Sequence, residues 1–171
     1  GSVVEVGSST SGLVDNSTAS DSLGVGANAL DSETDGYGNT GIGKSALTAL
    51  TEGTSNVGLG NRAGESLTTG IRNTFLGALS GGDIVSCSDN VFVGYVSGAY
   101  NTDGKNTAIG AFSFAGSGSA SNSVAVGYKA LYSTTNGNSN VAVGYTALED
   151  TTTGYNNISI GAFAGREITE G

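Results

Sequence analysis

Apolar and polar positions along this chain recur with a fixed period. A five-residue unit of the form Asn-x-x-Val/Ile/Leu-Gly reads SLGVG at 22–26, NTGIG at 39–43, NVGLG at 56–60, NTFLG at 73–77 and NVFVG at 90–94. It continues as NTAIG at 106–110, SVAVG at 123–127, NVAVG at 140–144 and NISIG at 157–161. The closing glycines, from Gly26 to Gly161, are 17 residues apart at every step but one; Gly94 and Gly110 are 16 apart. A degenerate copy, VVEVG at 3–7, precedes the first by 19. Self-similarity at a fixed short period marks a stacked-repeat architecture.

Within each unit the columns carry chemistry. A branched aliphatic stands before every closing glycine (Val25, Ile42, Leu59, Leu76, Val93, Ile109, Val126, Val143, Ile160), and two places earlier stand Leu23, Thr40, Val57, Thr74, Val91, Thr107, Val124, Val141 and Ile158. A period of two in β-favouring residues predicts a short strand, with these two columns facing inward. The column between them, from Gly24 through Phe75 and Phe92 to Ala142, is then expected to face outward as a strip for another chain. Three residues after each glycine the side chain is always Ala or Ser, as a tight bend requires, and the next is Leu, Phe or Gly. The rest of each unit reads as a polar turn, for example Thr68-Thr69-Gly70, Asn101-Thr102-Asp103-Gly104 and Thr152-Thr153-Gly154, with glycine expected to supply positive φ. No segment shows a 3.6-residue period.

One such unit cannot bury its few apolar side chains alone, whereas stacked units give each coil a floor and a ceiling. The prediction is an all-β, parallel β-solenoid, or β-roll, of about ten coils, with the leading asparagines stacked as an amide ladder. At about 4.8 Å per coil the rod is roughly 45–50 Å long. Residues 1–20 are read as an N-terminal remnant plus a degenerate first coil, and 21–171 as the repeat domain, a fragment of a longer fibre.

Composition narrows the function. His, Pro, Met and Trp are absent, and the net charge is −9 from 6 basic and 15 acidic residues. The basic residues are scattered, so no basic patch forms, and nucleic acid is excluded as a partner. No apolar stretch is long enough for a membrane span, so no membrane insertion of this segment is expected. Lone Cys87 can form neither an internal disulfide nor a cysteine metal cluster. Without His the common general base and the usual triads are missing. The carboxylate pairs Asp83 with Asp89 and Glu149 with Asp150 read as solvated turns. No catalytic, metal or cofactor site is therefore expected, and the chain is read as no enzyme.

Three motifs compete with the repeat. Gly38 to Ser45 satisfies G-x-x-x-x-G-K-S, but the preceding seven residues are polar and acidic, and Asn39 to Gly43 is simply the repeat unit. Asn16-Ser17-Thr18 and Asn157-Ile158-Ser159 have the form of glycosylation sequons. Tyr95, Tyr128 and Tyr145 each follow a closing glycine. Aromatic rings spaced along a rod could stack on sugars or pack against a neighbouring chain, and these three are the candidate binding residues.

The units NTAIG-AFSFAG at 106–116 and NSVAVGYKAL at 122–131 resemble the head repeats of trimeric autotransporter adhesins, with Ser113, Ala115 and Gly116 on that family's pattern. The run at 140–165 is similar to repeat regions of bacteriophage tail fibres. The resemblance implies a left-handed parallel β-roll, a homotrimer about a common axis, and exposure on a cell or virion, although the family's coil is typically shorter. The functional expectation is a structural and adhesive shaft or head segment that meets a host-cell surface glycan or protein receptor. A tail-fibre segment for host recognition is the first alternative. An ice-binding solenoid is the second, because Thr40, Thr74 and Thr107 share a column.

Overall fold

The computed structural model describes residues 13–14, 21–116, 118–166 and 168. Its strands are β1 (Leu13–Val14), β2 (Leu23–Val25), β3 (Thr40–Ile42), β4 (Val57–Leu59), β5 (Thr74–Leu76), β6 (Val91–Val93), β7 (Thr107–Ile109), β8 (Val124–Val126), β9 (Val141–Val143) and β10 (Ile158–Ile160). From β2 to β10 they form one parallel sheet in chain order. Each pairing joins equivalent repeat positions: Thr40 lies over Val57, Thr74 over Val91, and Val91 over Thr107 across the short coil. The chain is a parallel β-solenoid with a 17-residue coil, and no helix occurs among the described residues.

The expected ten coils become nine parallel strands, because the degenerate copy at 3–7 lies outside the described residues, as does the Asn16 sequon. At the N-terminal edge β1 instead runs antiparallel to β2, with Leu13 opposite Val25.

The facing of the strands reverses the prediction. In every strand from β2 to β10 the middle residue is buried, and its two neighbours are half-buried or exposed. Asparagine sets this parity. Asn56 is fully buried; its amide donates to Asn39 Oδ1 (3.1 Å) and to the Gly70 carbonyl (2.8 Å), while its backbone N–H also donates to Asn39 Oδ1 (2.8 Å). Asn73 and Asn90 repeat the pattern on Asn56 and Asn73. A side chain two places along a strand lies on the same face. An inward asparagine therefore carries Gly41, Phe75 or Ala108 inward with it, and Thr40 and Ile42 outward. An inward amide ladder and inward branched aliphatics are incompatible, and the ladder prevails because a buried, unpaired amide would be costly.

The interior is narrow, and its volumes compensate. Where the residues four places after the closing glycines are Leu30 and Leu47, the facing strand positions are Gly41 and Gly58 respectively; a Cβ on Gly41 would sit 3.1 Å from Leu30 Cγ, and one on Gly58 2.8 Å from Leu47 Cγ. Where the strand offers Phe75 and Phe92, the facing positions are Gly64, Gly81 and Gly98; a Cβ on Gly64 or Gly81 would come within 2.5 Å of the Phe75 ring. The two phenylalanine rings lie 5.8 Å apart between centres, tilted by 31°. Further along, Ala108, Ala125 and Ala142 are matched by Phe114, Leu131 and Leu148, all buried. The Ala/Ser column lies inside the bend as expected, with Ala46, Ala63, Ser80 and Ser97 at 0 % exposure. Leu50, Leu67 and Ile84, from segments read as polar turns, complete the core, and the same column continues as buried Thr134 and Thr151.

The turn glycines also have a different role from the one expected. Gly53 and Gly137 do not have positive φ. A Cβ on Gly53 would meet the Gly70 carbonyl at 2.5 Å, so glycine there permits close approach of successive coils. Positive φ falls two residues later, on Gly38, Ser55, Arg72, Asp89 and their equivalents, and on the closing glycines at φ 125–142°. Cys87 occupies the same column as Gly53 and Gly70. It is buried, with its thiol 4.0 Å from the Asn101 carbonyl.

Candidate functional site

Because the amide ladder points inward, two outward side chains remain on each of the nine parallel strands. They are Leu, Val, Ile or Thr throughout, and none is charged. Leu59, Leu76 and Ile109 are 42 %, 41 % and 41 % exposed. The strip that the sequence suggested for another chain (Gly24, Gly41, Gly58, Phe75, Phe92, Ala108, Ala125, Ala142) is instead interior, and the unpartnered face is the aliphatic one. At about 4.8 Å per strand it runs roughly 38 Å along the rod. Monomeric proteins rarely expose contiguous apolar surface on that scale.

The face is bordered by an aromatic ladder where the chain bends after the closing glycine. Tyr95, Tyr128 and Tyr145 lie on it, joined by Phe112 and Phe163. Neighbouring ring centres are 5.3 Å (Tyr95–Phe112), 6.1 Å (Phe112–Tyr128), 5.5 Å (Tyr128–Tyr145) and 5.3 Å (Tyr145–Phe163). Three contacts are edge-to-face and the Tyr128–Tyr145 pair is stacked at 14°. The three predicted tyrosines are thus brought together and remain exposed. Phe112 and Phe163 were missed because they stand two places after the glycine rather than one; counted by column, the five rings look unrelated. Lys129 lies over Tyr132 at 4.8 Å and Tyr128 at 5.8 Å, and its ammonium is 3.7 Å from Glu149.

Several carboxylates are held in ion pairs. Arg72 donates to both oxygens of Asp89 at 2.6 and 3.0 Å, and this hydrogen bonding holds the Asp89 carboxyl below its ordinary range. Arg166 contacts both Glu149 (3.3 Å) and Asp150 (3.2 Å). Among the described residues no three metal-ligating side chains cluster. The G-x-x-x-x-G-K-S segment contains strand β3, and Lys44 is exposed at the bend after it, so the segment has no cradle opening a helix. Burial, and then the nearby Asp103 carboxylate, push the Cys87 thiol up. A buried thiol is poorly placed for a bridge between chains.

Compared with protein-family models, curated proteins and solved structures, the chain matches none.

Proposed function

We propose that this chain is a shaft segment of a fibrous surface protein, that it associates with identical copies through its aliphatic sheet face, and that it holds an adhesive surface away from the cell or virion that carries it. The carrying observation is the uncharged outward face of β2 to β10. A water-exposed apolar strip of that length is removed from water most simply by an equivalent strip, and identical coil spacing lets two rods meet in register. A threefold arrangement, as implied by the resemblance to adhesin heads, places three such faces about one axis, with the aromatic ladder at the seam. A tail-fibre segment has the same architecture and differs in what it projects towards.

Sedimentation equilibrium tests this. A mass of three chains is expected, and Leu59→Asp with Leu76→Asp should yield folded monomers; a monomeric wild-type chain removes the proposal. The outward placement of Thr40, Thr74 and Thr107 on a parallel sheet supports ice binding as a second reading, for which thermal hysteresis by the monomer is the distinguishing result.

A further inference from the structure

The repeat breaks its period once, in the 16-residue coil from Asn90 to Lys105, and the break leaves a cleft. On the near side the stacking is regular, since the Asp83 N–H donates to the Ala99 carbonyl just as Ser66 does to Gly82 in the coil before. On the far side the Lys105 N–H donates to the Ser88 carbonyl, one residue nearer in sequence than the Asp89 to Ile71 bond. The missing residue therefore falls between Ala99 and Lys105, in the turn where Asn101 Oδ1 accepts the Asp103 N–H at 2.9 Å. A Cβ on Gly104 would run into the Ser88 carbonyl, so glycine is required for this shortened path.

The resulting cleft, of about 360 Å³, is bounded by Ser88, Asp89, Asp103, Lys105, Ser121 and Asn122, with Gly104 between them. Every bounding side chain is polar. Asp89 is fixed by Arg72. Among the described residues, the Asp103 carboxylate and the Lys105 ammonium have no hydrogen-bond or ion-pair partner. Asn122 Nδ2 donates to Ser121 Oγ at 3.0 Å, which orients that pair.

This set of groups selects among ligands. Two carboxylates disfavour an anion, an arginine and a lysine beside them disfavour a metal ion, and a lining that mixes polar groups with apolar stem and backbone carbon suits a molecule that is itself part polar and part apolar. A neutral ring with several hydroxyls satisfies both acceptors and donors. We propose that the cleft binds one neutral sugar residue, with Asp103 and Asp89 accepting hydrogen bonds from ring hydroxyls and Lys105 donating to a sugar oxygen. This deepens the adhesive reading by giving it a ligand class and a place distinct from the aromatic ladder.

The test is an NMR titration of the labelled chain with the methyl glycosides of glucose, galactose, mannose and N-acetylglucosamine. At least one should shift the amides of Ser88, Asp89, Gly104, Lys105 and Ser121. Asp103→Asn should weaken that binding about tenfold, the loss expected for one hydrogen bond to a charged group. Asp35→Asn, at an exposed turn carboxylate of another coil, should leave it unchanged. Inserting one Ser between Asp103 and Gly104 restores the 17-residue period, and should abolish binding while circular dichroism and oligomer mass stay as in the parent. If no glycoside shifts these amides, if the insertion leaves binding intact, or if the shifts centre on Tyr95 to Phe163, the assignment is overturned. Sedimentation of the same samples separates the two readings: trimers without sugar binding defeat the cleft alone, and sugar-binding monomers support the cleft while defeating the self-association.

Discussion

At the scale of single residues, the solenoid is governed by which buried groups find partners. The asparagines do, through amide and backbone bonds to the coils on either side. Thr134 and Thr151, which continue the Leu50–Leu67–Ile84 column, do not: their hydroxyls are buried without a partner. An unpaired buried hydroxyl costs about 1–3 kcal/mol. Thr134→Val and Thr151→Val keep the shape and remove the hydroxyl, so each should raise stability by about 1 kcal/mol in chemical denaturation. Cys87 gives a second residue-level prediction. Because burial raises its thiol pKa, its reactive thiolate is scarce at neutral pH and gains only as pH climbs past the ordinary thiol range. Alkylation by iodoacetamide at pH 8 should be slow in the folded chain and fast in denaturant; rapid native labelling would place Cys87 at the surface.

At the scale of the element, each coil is a three-residue strand, a bend and a turn, packed across a core one side chain thick. Large residues on one wall require small ones on the other, which couples positions far apart in the repeat pattern. Gly98 illustrates this, since a Cβ there would enter the Phe92 ring and φ is +57°. Gly98→Ala should destabilise by about 3 kcal/mol, overpacking and backbone strain acting together. Combining it with Phe92→Ala should cost clearly less than the sum of the single changes. A strictly additive double-mutant cycle would contradict the wall-to-wall account. Much of the element was legible in the sequence: the period, the strand positions and the Ala/Ser bend column all follow from repetition. Strand parity was not, because both alternating columns carry apolar residues; only the requirement that Asn56 and Asn73 be buried decides it. The roles of Leu50, Leu67 and Ile84 were hidden because the equivalent positions in the following coils are Asn101, Ser117, Thr134 and Thr151, which read as turn, before the column returns to an apolar residue at Ile168. For the candidate site, the three tyrosines were visible as a column, whereas Phe112 and Phe163 lay in the adjacent column and join it only at the bend.

At the scale of the whole molecule, parity decides where the apolar surface goes. The interior takes the amides and the variable, mutually compensated residues; the uniform Val, Ile, Leu and Thr columns are left outside along the length of the sheet. That uniformity is what the proposed association with another rod would use, coil by coil, while the interior needs only to conserve its volume. The single short coil interrupts the turn side of the rod and leaves the aliphatic face continuous, since Val91 still pairs with Thr107. The Arg72–Asp89 ion pair spans adjacent turns next to that interruption. The folded Asp89 pKa is depressed, so the contribution of this pair is present above the ordinary carboxylate range and disappears as pH falls through the lowered value.

The account rests on equivalent positions lying directly over one another with the asparagine side inward. Nuclear Overhauser contacts in the isotopically labelled chain read both features at once. Backbone protons of Thr40, Val57 and Thr74 should show parallel-strand contacts, and the Phe75 and Phe92 rings should contact each other and the Gly81 and Gly98 α-protons. Ring contacts from Phe75 to a second chain, without contacts to Gly81, would contradict it.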